Sequence, residues 1–365
     1  MTQTSTRSWD RTAWPLEPVR RWSLRLVLSL PLVLIAIAAN GNGFTSPQLA
    51  DLAQRASAVK TGQGLNELAA AYPPIPTLLA AAIPGGATSM SVVSAVLGGL
   101  ALQLVIARLV RRDIGAIVGT LLILGLVVSP AVWFQATQDP APFMALMLLI
   151  VSIDGFIRFI VRNDTAGGFA SGLALAGAFF CDPIAIVYAI AMTCCAPLLS
   201  RRRGFGAREG ATMLVLIFPT VSMLLCWAFL EWRFTGAAFA NVWRDTNVLR
   251  FGVSVDSALS DAISLLVLAP VFAATVAIVG RRRLRAAATM TIPVIGIALA
   301  SWFGLALSEA SGIVLLSVVA LYSIPRRRLL AENILLGVAG LAQIVATTVI
   351  AIDAERVEPF LDALL

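Results

Sequence analysis

Asp51, in Leu49-Ala50-Asp51-Leu52-Ala53, is the carboxylate best placed for chemistry. Ser46-Pro47 precedes it, and Leu49, Leu52, Ala53 and Ala56 recur at helical spacing, which predicts a helix over 47–59 lying along a membrane interface. A carboxylate there is partly desolvated and close to headgroup phosphates, a setting suited to acid–base work. Glu67 follows in the same loop as a second candidate. Asp139, in Gln138-Asp139-Pro140, is a third, and its place before a proline also fits the cap of the next helix. Asp182-Pro183 carries the same two readings. The cations on the side of Asp51, ahead of the C-terminal tail, are Arg55, Lys60, Arg233, Arg244 and Arg250. The chain has no His, and Cys181, Cys194, Cys195 and Cys226 lie in apolar runs without zinc-type spacing. No His or Cys ligand set exists, so the cofactor is unassigned and the only metal left open is a divalent ion held by oxygens. Walker, dinucleotide and G-x-S-x-G signatures are absent from the sequence.

The elements that must hold these residues are membrane helices. Of the 365 residues, 59% are hydrophobic and 13% charged, and the mean hydropathy is +0.88, values that exclude a water-soluble globule. Apolar runs between charge clusters predict an all-α polytopic bundle of about eleven spans. They fall near 23–40, 88–107, 114–132, 141–161, 168–182, 184–199, 211–230, 262–280, 287–307, 310–324 and 331–352. Residues 1–22 form a cytoplasmic tail, 23–352 the transmembrane domain and 353–365 a short outer tail. The first apolar run has a signal-like flank, but its length predicts a retained span.

Placing the N-terminus inside puts 21 of the 27 basic residues in inner connections, including Arg108, Arg111, Arg112, Arg201 to Arg203, Arg281 to Arg283 and Arg326 to Arg328. The C-terminus is then outside, in a cytoplasmic (inner) membrane. The net charge of +7 is dispersed through these loops rather than gathered on one polar face, which excludes a nucleic-acid partner. Residues 41–87 and 231–261 become long outer loops, where function tends to reside. The first loop reads as two interfacial helices separated by Tyr72-Pro73-Pro74-Ile75-Pro76, the second of them over 77–83. In the second loop Trp232, Phe234, Phe239, Trp243 and Phe251 suit a headgroup anchor, and Glu231 with Arg233 suits an interfacial ion pair.

The order of these features resembles the GT-C-fold integral membrane glycosyltransferases, such as the protein mannosyltransferases. The likeness rests on Asp51, Tyr72-Pro73-Pro74, Ser129-Pro130 with Gln138-Asp139, Asp182-Pro183 and Trp232-Arg233-Phe234-Thr235-Gly236. It covers roughly residues 20–245, with additional spans over 262–352. The resemblance implies transfer of a sugar from a polyprenyl-phosphate donor to an envelope glycan, lipid or protein acceptor at the outer face. It also implies Asp51 as general base, Glu67 and Asp139 as second acids, and Arg233, Arg244, Arg250 and Arg55 as ligands of the donor phosphate. Two departures stand out: Asp51 lacks the adjacent second acid of many members, and no C-terminal soluble domain follows the last predicted span. The alternative is a non-catalytic scaffold subunit, or a lipid or polymer transporter, in an envelope-assembly complex. Nearly charge-free span interiors weigh against a transporter.

Overall fold

The structure is a computed structural model that describes residues 14–15, 17–62, 65–200, 206–242, 255–305, 307–349 and 354–365. Every regular element among them is helical. α1 (Pro18–Gly41) is followed by three short helices, α2 (Pro47–Thr61), α3 (Leu65–Ala69) and α4 (Pro74–Ala82). The next group is α5 (Gly86–Arg111), α6 (Ala116–Val127), α7 (Pro130–Gln138), α8 (Pro140–Arg162), α9 (Thr165–Phe179), α10 (Ile184–Ser200) and α11 (Gly206–Thr235). The chain continues as α12 (Val255–Leu268), α13 (Pro270–Arg282), α14 (Leu284–Met290), α15 (Ile292–Trp302), α16 (Glu309–Ser323), α17 (Leu330–Val349) and α18 (Ala354–Asp362). Proline opens α1, α2, α4, α7, α8, α13 and α15 in the first turn, where its missing N–H costs nothing.

The count of about eleven spans is too high. Among the described residues six helical stretches are long and apolar enough to cross a membrane, and eight are if each of two bent pairs makes one span. The predicted spans over 168–182, 184–199 and 310–324 correspond to apolar helices of 10–17 residues, at most about 26 Å long against a hydrocarbon core of about 30 Å. The predicted third and eighth spans are broken. α6 and α7 meet at 61°, and α12 and α13 at 88°, each at a proline that cannot donate into the preceding turn. The first loop contains its two expected helices, as α2 and α4, with α3 between them, but α4 starts at Pro74, so Pro74-Ile75-Pro76 of the expected separator forms its first turn.

α16 is the most enclosed element, buried continuously from Ala310 to Leu321. Its neutral polar groups are paired inside the bundle. Gln343 Nε2 donates to Ser317 Oγ at 2.7 Å and to the Gly125 carbonyl at 3.2 Å, and Gln135 donates to Ser311 Oγ. α1 approaches α5 so closely that a Cβ on Gly99 would lie 2.6 Å from the backbone of Ser29. Backbone cannot yield as a flexible side chain does, so Gly99→Leu is expected to prise α1 from α5 and destabilise the protein by about 1–3 kcal/mol. Unchanged thermal stability of the purified variant would contradict that contact.

The two ends of the bundle differ in charge. At one end Arg108 and Arg158 flank Asp154 at 3.3 and 3.2 Å, and Arg282 pairs with Glu332 at 2.5 Å. Arg112 donates to the Tyr322 carbonyl at 3.2 Å, and Arg328 to those of Arg112 and Asp113. The other end gathers α2, α4, the α7–α8 junction, the α9–α10 turn and α18. The predicted outer tail there includes a packed helix: Phe360 meets Phe44 and Phe134 at centroid distances of 5.7 and 5.6 Å. Arg7, Arg11 and Arg201 to Arg203 lie outside the described residues.

Candidate functional site

A cleft of about 400 Å³ opens at the acidic end, between α2, the Tyr72-Pro73 bend, the α7–α8 junction, the α9–α10 turn and the Asn241-Val242 segment. Asp51, Asp139 and Asp182 all line it, with Arg55 as the cation.

α2 is fixed at its start by Gln138. Ser46 caps the helix by accepting from Leu49 N at 3.1 Å, while its hydroxyl donates to the Gln138 carbonyl and its N–H to Gln138 Oε1 at 3.3 Å. Leu49, Leu52 and Ala56 are buried, as the helical spacing predicts, and this leaves Asp51 on the open side with 52% of its side chain exposed. Its carboxylate meets Arg55 Nη2 at 2.7 Å, and the same guanidinium donates to the Tyr72 carbonyl. Arg55 thereby ties α2 to the Tyr72-Pro73 bend.

Tyr72 anchors that bend from the other direction. Its ring packs on Phe179 and Trp227 at 5.8 and 5.9 Å, and its hydroxyl donates to the Phe179 carbonyl at 2.5 Å. Burial, with Asp182 nearby, holds the phenol well above its ordinary value. Ile75 N–H reaches the Phe180 carbonyl at 3.2 Å, so the proline element sits directly on the turn that carries Asp182.

Asp139 is buried between α7 and α8. It occupies the N-cap position of α8, where its carbonyl accepts Phe143 N–H at 3.1 Å, but its side chain makes no capping hydrogen bond. Asp182, by contrast, accepts Ile184 N–H at 2.8 Å through Oδ1 and thereby starts α10. Burial pushes the Asp182 carboxyl up to about 6, and that backbone bond opposes the shift. A raised carboxylate pKa favours the folded state while the group is protonated, and that advantage is lost as pH rises from its ordinary 3.8 through about 6. Asp182→Asn keeps an acceptor for Ile184 and removes the titration. Thermal melts of the variant are expected to lose the component of pH dependence that the parent shows between these values.

The remaining sequence candidates lie elsewhere. Glu67 is on α3 and does not line the cleft. Arg233 is exposed at the end of α11, over the Phe234 ring at 5.7 Å, and does not line the cleft either. The expected Glu231–Arg233 ion pair is absent: Glu231 is fully buried and accepts from Trp227 Nε1 at 2.9 Å, with further bonds to Ala240 and Asn241. Those bonds hold the segment that closes the cleft at Asn241 and Val242. Arg244 and Arg250, with Trp243 and Phe251, lie outside the described residues.

No family model, curated protein or solved structure matches this chain. Among the described residues no three His, Cys, Asp or Glu side chains lie close enough to hold a metal ion. The cleft offers carboxylates on three sides, an arrangement that can accept a proton and bind several hydroxyl groups at once. Asp182 is the residue that sequence reasoning undervalued. Its signal was present, an Asx-Pro pair after a Gly-rich helix, but that pattern is shared by ordinary helix starts.

Proposed function

We propose that this chain is a membrane glycosyltransferase of the GT-C type, taking a sugar from a polyprenyl phosphate and delivering it to an acceptor hydroxyl at the outer membrane face. The observation that carries this reading is the convergence of Asp51, Tyr72-Pro73, Asp139 and Asp182 on one cleft, from four separate parts of the chain. Asp51 takes the acceptor's proton as its oxygen bonds to the sugar C1, and the C1–O bond to the phosphate breaks with its electron pair leaving on the polyprenyl phosphate. Asp139 and Asp182 bind sugar hydroxyls across the cleft. The described cleft is acid-rich, so cations for the lipid phosphate come from Arg55 and, in sequence just beyond Val242, from Arg244 and Arg250. The arginine-rich end faces the cytoplasm in this reading, by the positive-inside bias.

The test is binding and turnover of a polyprenyl-phosphate sugar by the protein reconstituted in lipid. Donor binding is expected, and replacing Arg244 and Arg250 together by Gln is expected to weaken it several-fold, since charge-assisted contacts to phosphate are among the stronger hydrogen bonds. Unchanged binding in the double variant would remove these two arginines from the site. Neither binding nor release of polyprenyl phosphate in the parent protein would sink the transferase reading.

A further inference from the structure

A second cavity, of about 330 Å³, lies at the arginine-rich end between the last turn of α8 and the start of α14. We infer that it holds the headgroup of an anionic phospholipid, with Arg283 and Arg285 meeting the phosphate. Its depth is set by the two spans that end there: Ile160 and Val161 belong to the stretch Pro140–Arg162, and Leu284 begins the stretch Leu284–Trp302. A cavity at the ends of two spans lies at headgroup level. Its volume falls within the usual range of small-molecule sites, about 300–1,000 Å³.

The lining separates into two kinds of surface. Ile160, Val161 and Ala286 make an apolar wall, whereas Arg283, Arg285 and the Asn163 amide supply only hydrogen-bond donors and one amide acceptor. No carboxylate lines the cavity. The nearest acid in sequence, Asp164, is engaged by Arg158 at 3.8 Å and caps α9 through Gly167 N at 3.1 Å. Leu284, between the two arginines, is 79% exposed. A leucine left open between two cations suits a ligand with an acyl chain beside its phosphate better than a soluble anion.

Arg108 and Arg158 at this end are bound to Asp154, Arg282 to Glu332, and Arg328 to backbone carbonyls and Asn333. None of these four lines the cavity, which Arg283 and Arg285 border.

The experiment uses the full chain, purified in detergent and titrated with phosphatidylglycerol or phosphatidylcholine, with bound lipid counted by native mass spectrometry. Preferential retention of phosphatidylglycerol is expected. Arg283→Gln with Arg285→Gln should reduce that affinity by roughly fivefold per arginine, about 25-fold together. Arg281→Gln with Arg327→Gln removes the same charge from the same end but outside the cavity lining, and should stay within about twofold of the parent because the contacts that hold the phosphate are direct and short-ranged. Val161→Trp keeps every charge and fills the cavity, and it too should lose the bound lipid. Equal loss in both double variants would assign the effect to diffuse surface charge, and full retention in Val161→Trp would show that the cavity is not the site. Displacement of the lipid by millimolar inorganic phosphate alone would identify a soluble-anion site. Any of these three results overturns the assignment.

Discussion

Asp51→Asn is expected to lower turnover by roughly 10²–10⁴-fold, the usual contribution of a general base. Asn has the same shape, so it keeps the fill of the cleft and an acceptor for Arg55, but it takes up no proton. The structural loss is small, because a half-exposed i,i+4 ion pair contributes only about 0.3–0.5 kcal/mol. A fall in rate with unchanged melting therefore separates chemistry from folding. Glu67→Gln is the matched control, from the same loop but outside the cleft, and should leave turnover unaltered. The measurement is release of polyprenyl phosphate by reconstituted protein. Full activity in Asp51→Asn would move the base to Asp139 or Asp182. Full activity with all three replaced would place the base outside this cleft, whereas no release of polyprenyl phosphate by the parent protein would favour a non-catalytic scaffold.

The largest effect on stability is expected at Glu231. This carboxylate is wholly buried, accepts from Trp227 Nε1 at 2.9 Å and bonds to Ala240 and Asn241. Glu231→Ala leaves those donors without their acceptor, and the buried Trp227 Nε1 group alone costs about 1–3 kcal/mol when unsatisfied. It also releases the wall formed by Asn241 and Val242. The variant should melt earlier and lose donor binding together, although residue 231 does not line the cleft. Glu231→Gln retains an acceptor and should recover most of both. Loss of stability without loss of donor binding would show that this wall is not needed by the ligand.

The sequence made the helices legible but not their lengths or bends. Hydropathy registers a run such as 262–280 as continuous, yet Pro270 turns the chain by 88° within it. Direction is a backbone property that composition does not carry. The run at 168–182 likewise extends beyond the end of α9 at Phe179 into the Asp182 turn. In the first loop the reading fared better, since Ser46-Pro47 and the spacing of Leu49, Leu52 and Ala56 report both where α2 starts and which face it buries. Asp51 stood out on the open face of that helix, whereas Asp139 and Asp182 lie beside helix boundaries, where an acid also reads as an ordinary cap. The fate of Glu231 and Arg233 did not stand out. Positions two apart on a helix point to opposite sides, so one enters the core while the other meets the surface, and only a partner three or four residues away could have made the expected ion pair.

The seat of α18 has a consequence for how the protein is made. Asn42 Nδ2 donates to the Ala363 carbonyl, 321 residues further along the chain, and Phe44 stacks against Phe360. The stretch leading from α1 into α2 thus gains its last supports from a segment synthesised long after it. α2 carries Asp51, and the cleft also needs the turn at Asp182 and the wall at Val242. During synthesis the three aspartates emerge before the pieces that hold them together, so a nascent chain halted after α10 would present its carboxylates without a closed binding site. The cleft is accordingly complete only once the Val242 wall and α18 have joined the bundle.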